Sequence, residues 1–142
     1  MNDPAFKPKI VAFVCNWCTY TAADLAGISR LDYAAEVRLL RLMCTGMIDP
    51  KYVLKAFLDG ADGVFIGGCH PGDCHYINGN LKAQKRIAGV GKILEQFGFA
   101  PERLVLKWIG ASEGPEFREN MNHFVESVRA LGPSQARDRM VL

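Results

Sequence analysis

Long apolar runs are missing from this chain, and so is any large excess of one charge. No stretch approaches the ~18 consecutive apolar residues needed to span a bilayer, so no membrane segment is expected. The opening residues, MNDPAFKPK, lack the apolar core of a secretory signal, which points to a cytoplasmic, reducing setting. A formal net charge of +2 gives no electrostatic case for nucleic-acid binding. Internal repeats, linkers and low-complexity segments are also lacking, which excludes solenoids and multi-domain arrays. What is there, 142 residues of which 49% are apolar and 23% charged, suits one globular domain with a proper core. Five cysteines in a reducing compartment do not make a disulfide framework, and an odd count fits one poorly. Metal binding or thiol redox chemistry gains by elimination.

Strand and helix patterns alternate along the chain. Lys9–Val14 is a β-branched apolar run that predicts a buried strand ending at Cys15. Ala22–Ala26 predicts a short helix stopped by Gly27, and Glu36–Met43 a second strand before Cys44. Asp49-Pro50 is a helix start, with Asp as cap and Pro in the first turn, for a helix running to Leu58. Gly63–Ile66 predicts a third strand, leading into Gly67-Gly68-Cys69. A long helix over 80–97 is expected to bury Leu81, Ile87, Val90, Ile93, Leu94 and Phe97. Arg103–Ile109 predicts a fourth strand, and Ser112 the cap of a last helix reaching Leu131. Strands alternating with helices predict right-handed βαβ crossovers. The expected architecture is therefore α/β: a small three-layer domain over 9–133 with a mostly parallel sheet of about four strands, Rossmann/flavodoxin-like. Residues 1–8 form an N-terminal extension and 134–142 a C-terminal tail.

The cysteines fall where such a fold builds sites. Cys15 and Cys18 follow the first strand, Cys44 the second, Cys69 and Cys74 the third. In a parallel sheet the C-terminal strand ends share one edge, where ligand sites form. Five thiols distant in sequence are thus predicted to meet at one rim. Converging thiolates suit structural zinc, an iron–sulfur cluster or a redox-active dithiol. A dithiol needs only two sulfurs, and a domain with this much core does not need a zinc staple. A cluster explains all five placements more easily. A thiol oxidoreductase using Cys15 and Cys18 and a zinc-stabilised adapter module stay open as alternatives.

The segment GGCHPGDCHY, Gly67–Tyr76, adds glycines that let backbone approach a bulky cofactor; Gly68 and Gly72 are candidate cofactor contacts. His70 and His75 are read as loop histidines that hydrogen-bond to or screen the site rather than ligate. Trp17, between two candidate ligands, either shields the site or simply packs. Asp73 is a turn residue and His123 a surface residue on a helix. The basic cluster Lys82, Lys85, Arg86 and Lys92 is first a solvated helix face, and second a docking surface for an acidic partner. Any single cysteine taken alone is an ordinary small buried residue; the coincidence of five carries the reading.

CNWCTYTAADLAG (Cys15–Gly27), RLMCTG (Arg41–Gly46), LKAFLDGADGVFIGGCHPGDCHYINGN (Leu54–Asn80) and WIGASEG (Trp108–Gly114) together resemble the delta subunit of methyl-viologen-reducing hydrogenase. That is the small iron–sulfur subunit linking a nickel–iron hydrogenase to heterodisulfide reductase. The resemblance spans roughly Lys9 to Pro133. It implies a 2Fe–2S cluster ligated by four of Cys15, Cys18, Cys44, Cys69 and Cys74, with Cys15 set aside as the spare because the first strand pins it. It further implies a non-catalytic electron carrier. Electrons would come from hydrogenase or formate dehydrogenase subunits and go to the heterodisulfide reductase flavin subunit, in an electron-bifurcating complex. The tail and last helix are candidate docking elements, and no nucleic acid or membrane takes part.

Overall fold

The computed structural model describes residues 6–31 and 35–134. Among them β1 (Ile10–Cys15), β2 (Val37–Leu42), β3 (Gly63–Gly68) and β4 (Leu104–Trp108) form one sheet in the order β2-β1-β3-β4, every neighbour parallel. Helices α1 (Thr19–Ile28), α2 (Pro50–Leu58), α3 (Gly79–Gln96) and α4 (Gly114–Leu131) complete three layers. This is the expected α/β architecture, in a flavodoxin-like strand order.

Period-2 alternation divides the core between the two faces of the sheet. Ile10, Ala12 and Val14 of β1 and Phe65 of β3 meet α1 and α4 through Ala22, Ala26, Phe117, Met121 and Phe124. Phe13, Val64 and Ile66 point the other way, against Val53 and Phe57 of α2 and Ile87, Val90 and Leu94 of α3. Phe57, Phe65 and Phe117 are fully buried, each worth about 1.5–3 kcal/mol of burial. Asp49 caps α2 by accepting from Lys51 N at 2.9 Å, with Pro50 in the first turn, as the sequence predicts.

Three helix details differ from expectation. α1 begins at Thr19 and runs through Gly27; Ser29 and Arg30, the latter at φ 57°, end it instead. Its first turn is β-branched and reads as loop, but the Thr19 hydroxyl donates to Ile109 O at 3.1 Å and anchors it. α4 starts at Gly114 with Glu113, not Ser112, in the cap position, because the Glu113 side chain is turned back toward Gly110 N. The buried stripe of α3 is Ala83, Ile87, Val90 and Leu94, spaced 4, 3 and 4; Leu81, Ile93 and Phe97 lie off it and are exposed.

A polar clamp closes the end of the domain opposite the strand C-termini. Buried Asp62 accepts from Lys9 N (2.8 Å) and Ser134 N (2.9 Å). Arg103, also buried, donates to the carbonyls of Asp62 (2.9 Å), Gly132 (2.9 Å) and Pro133 (3.3 Å). Most of the expected N-terminal extension and of the C-terminal tail lies outside the described residues, and with it the tail as a docking element. No helix of the described residues is long and apolar enough to cross a membrane.

The chain order positions the site. From β1 the chain passes through α1 to β2, then crosses back over β1 through α2 to β3. Strand order therefore reverses between β1 and β3, and the loops leaving their C-terminal ends diverge to open a crevice.

Candidate metal centre

All five cysteines surround that crevice. Cys15 is the last residue of β1, Cys18 precedes α1 in the cap position, Cys44 follows β2, Cys69 follows β3, and Cys74 lies on the loop before α3. Sγ of Cys69 is 3.8 Å from Cys15 Sγ and 2.8 Å from Cys18 Sγ, and these three sulfurs lie within 4.8 Å of one another. Cys44 and Cys74 make a second pair at 3.9 Å. Cys74 also packs against the buried triad, so the two groups adjoin. All are free thiols, buried except for half-buried Cys74.

Charge within the group is unevenly shared. Hydrogen bonds from the Cys18 and Cys69 side chains, together with the Trp17 and Cys18 amides, pull the Cys15 thiol down to about 3 against its burial. The same bonding pushes Cys18 up to about 12, through Cys15 first, and drives Cys69 upward. The triad thus favours one thiolate stabilised by two thiols. Burial raises Cys44. Burial also opposes ionisation of Cys74, but the amides of Asn80, Tyr76 and Gly79 outweigh it and leave that thiol lowered. A cation is the natural complement of such a set, since thiolate is the ligating form.

The surrounding shell holds residues the sequence did not single out. Asn80, fully buried at the start of α3, donates to Cys69 O (2.8 Å) and His70 O (3.1 Å) and so ties the cysteine loop to the helix. Glu113 accepts from Gly110 N at 2.7 Å and pairs with His70 Nε2, bracing the residue after Cys69. Its carboxyl is held below the usual range by the Gly110 amide first and by His70 next. Gly79 touches the sulfurs: a β-carbon there would lie well inside contact distance of Cys44 Sγ and 3.4 Å from Cys74 Sγ. The string Asn78-Gly79-Asn80 reads as ordinary loop chemistry, so only the docking of α3 against the 45–47 turn gives these residues their roles.

Trp17 stacks on His75 with ring centroids 3.9 Å apart, and His75 meets Tyr76 edge-on at 4.9 Å. The two rings bridge the loop after β1 and the loop carrying Cys74. Gly68 closes β3 and accepts from Ile109 N at 2.9 Å, while Gly72 makes the loop turn at φ 91°. His123 is exposed on α4, as expected.

Comparison with known proteins bears on the same residues. Residues 10–132 match the family described as the methyl-viologen-reducing hydrogenase delta subunit. The chain belongs to this family. It is 50% identical over 133 residues to the iron-sulfur subunit of the vhc F420-non-reducing hydrogenase of Methanococcus voltae, covering 94% of this chain and 92% of that protein. The corresponding F420-non-reducing hydrogenase iron-sulfur subunit of Archaeoglobus profundus is 48% identical over 128 residues, 90% of this chain and 93% of the relative. A chain of the ferredoxin/F(420)H(2)-dependent CoB-CoM heterodisulfide reductase of Methanosarcina acetivorans is 44% identical over 126 residues, which is 89% of this chain but 16% of that much longer protein.

Metal–thiolate bonds of about 2.3 Å at tetrahedral angles put two sulfurs on one metal about 3.8 Å apart. Cys15–Cys69 at 3.8 Å and Cys44–Cys74 at 3.9 Å both meet that spacing, and the Cys18–Cys69 separation of 2.8 Å does not. Cysteine sulfurs that are mostly buried, with backbone amides nearby, fit an iron–sulfur centre.

Proposed function

We propose that this chain is an electron-transfer subunit holding a 2Fe–2S cluster at the β1/β3 crevice. It would take electrons from hydrogenase or formate dehydrogenase subunits. It would pass them to the flavin subunit of a heterodisulfide reductase, in a cytoplasmic, electron-bifurcating complex. One observation carries the reading: five sulfurs from three separate strand ends gather as an adjoining triad and pair, two of their separations matching those on a shared tetrahedral metal. The names of the relatives support hydrogenase and heterodisulfide reductase partners. The iron-sulfur relatives are named for hydrogenases, and a similar stretch makes up 16% of the long heterodisulfide reductase chain.

Such a cluster supplies reversible one-electron storage at nearly fixed ligand geometry. The chain's part is to hold and cover it. Cys15 and Cys69 form one ligand pair and Cys44 and Cys74 the other, which makes Cys18 rather than Cys15 the fifth thiol. Asn80 and Glu113 fix the loop bearing Cys69, and the Trp17–His75 stack lies over the gap between two cysteine loops. The 700 Å³ cavity beside Lys9, Arg38 and Tyr52 lies at the opposite end of β1 and β2, away from the thiols.

Anaerobic purification with iron, sulfide and zinc analysis tests this. About two irons and two acid-labile sulfides per chain are expected, with visible absorption that bleaches on reduction and an electron paramagnetic resonance signal in the reduced state. A colourless protein with one zinc, or with neither metal, would favour the adapter or the thiol oxidoreductase and end the proposal. Serine replacement of each cysteine separately sorts the ligands: Cys18→Ser keeps its iron and the other four lose it.

A further inference from the structure

Beside the sulfurs the surface carries more exposed apolar area than the fold needs. A cleft of about 500 Å³ opens between the 43–47 segment and the start of α3, and Met43, Cys44, Met47, Tyr76, Lys82 and Arg86 line it. Met43, Met47 and Tyr76 are all about half exposed. Three large apolar side chains, half exposed around one opening, are available for contact with another molecule. Flexible methionines and amphipathic tyrosine are residue types that protein interfaces favour.

Next to Tyr76, at the loop tip, Ile77 is 83% exposed and adopts φ 73°. A β-branched residue in the left-handed region is held at a cost that glycine or asparagine would avoid. An exposed side chain returns nothing to the core, so the isolated fold would be better served by glycine. The isoleucine makes sense where its side chain is buried by something else. The charged residues lining the cleft, Lys82 and Arg86, are both cationic. Arg86 already donates to the carbonyls of Gly46 and Ile48, whereas Lys82 stands exposed at the rim. A small molecule in the cleft would leave the loop tip uncovered, whereas a protein surface covers both.

We propose that Met43, Met47, Tyr76 and Ile77, flanked by Lys82, form the docking surface for a redox protein. The partner presents an apolar loop ringed by carboxylates next to its own electron-carrying group. The inference rests on the electron-carrier reading. Its particular content is the direction: the partner seats over the Cys44 wall of the site, with Ile77 as the anchor. Lys82 acts mainly on encounter, as rim charges do.

The test uses the full chain, tagged and purified with its complex from its source organism. Hydroxyl-radical oxidation of Met43 and Met47 is compared by mass spectrometry in the complex and in the free iron-loaded chain; a fall of at least fivefold in the complex is expected. Ile77→Gly should retain its iron and melt no lower than wild type, yet recover at least tenfold less of the identified redox subunits. Lys82→Glu should weaken recovery in the same direction, by an amount that shrinks as salt rises. Unchanged oxidation, wild-type recovery with Ile77→Gly, or a lower melting temperature for that variant each overturns the proposal. So does protection that arises only from a second copy of this chain. An iron-free wild-type complex defeats the underlying carrier reading instead, whereas an iron-loaded complex with unprotected methionines defeats this surface alone.

Discussion

Two substitutions of the same kind, on the same helix, should act in opposite directions. Gly79→Ala adds a methyl against Cys44 Sγ and Cys74 Sγ, at the point where α3 meets the 45–47 turn. Ordinary contact requires roughly 3.5–4 Å, so Cys44 Sγ must retreat by about an ångström or more. A metal site tolerates about 0.5 Å. The neighbouring turn cannot easily yield, because Gly46 lies against the Gly79 backbone and Arg86 ties its carbonyl to α3. Overpacking of this sort costs about 1–3 kcal/mol. For 142 residues the unfolding entropy is about 0.3 kcal/mol/K, so Gly79→Ala should melt about 3–10 °C lower. Gly89→Ala lies in the same helix with open space around its added methyl. It gains helix propensity of about 0.8–1 kcal/mol and should melt about 3 °C higher. The assay is thermal unfolding of both variants beside iron and visible absorbance per chain. Gly89→Ala is expected to keep wild-type iron and Gly79→Ala to lose most of it. A Gly79→Ala protein that melts like wild type with full iron would falsify the placement of α3 against the cysteines.

Three further outcomes follow from the polar framework. Asn80→Asp replaces a buried donor with an acceptor facing the carbonyls of Cys69 and His70; a loss of about 2–4 kcal/mol is expected in denaturant titration, with faster iron release to a chelator. Arg103→Met leaves the carbonyls of Asp62, Gly132 and Pro133 without their donor and should lower the melting temperature by about 10 °C while leaving iron content unchanged, since the clamp lies far from the thiols. Glu113 has a depressed folded pKa, caused first by the Gly110 amide and then by His70, so its stabilisation is complete above the unfolded value of about 4.3 and fades as pH falls below it. Urea unfolding of the iron-free chain should therefore show a gap between wild type and Glu113→Gln that is constant from neutral pH to about pH 5 and closes in more acid solution; a gap that widens on acidification contradicts that sign.

Local pattern made part of this legible and tertiary contact made the rest. β1 and β3 are short β-branched or glycine-bounded runs with no competing helical period, and Asp49-Pro50 is a local cap, so these could be read directly. The convergence of the thiols also followed, because parallel strands must present their C-terminal ends on one edge. By contrast α1 extends back to Thr19 only because its hydroxyl reaches Ile109 O, 90 residues away in sequence. Glu113 takes the cap position expected of Ser112 and turns its carboxylate back to Gly110 N and His70. Asn80 and Gly79 look like turn residues until α3 is laid against the 45–47 turn. These misses concern polar or small residues whose partners are remote in sequence; the exposed Leu81, Ile93 and Phe97 are a different case, apolar positions near the true stripe of α3 that periodicity alone assigned to the core.

The depth of the site links its two halves. Four of the five sulfurs are buried and the fifth is half-buried, so the group lies about one side chain below the surface. Burial keeps water from competing for the thiolates, and a shallow site still lets another protein's cofactor approach closely. Trp17 and His75 stack on each other and so link two of the cysteine loops. Cys44 alone both meets Cys74 at 3.9 Å inside the site and forms a wall of the open cleft. A partner seated on Met43, Met47 and Ile77, as proposed, would meet Cys44 on the wall of the cleft. On the proposed docking the loop tip and the Cys44 wall would serve one contact, with Ile77 holding the neighbour against Cys44.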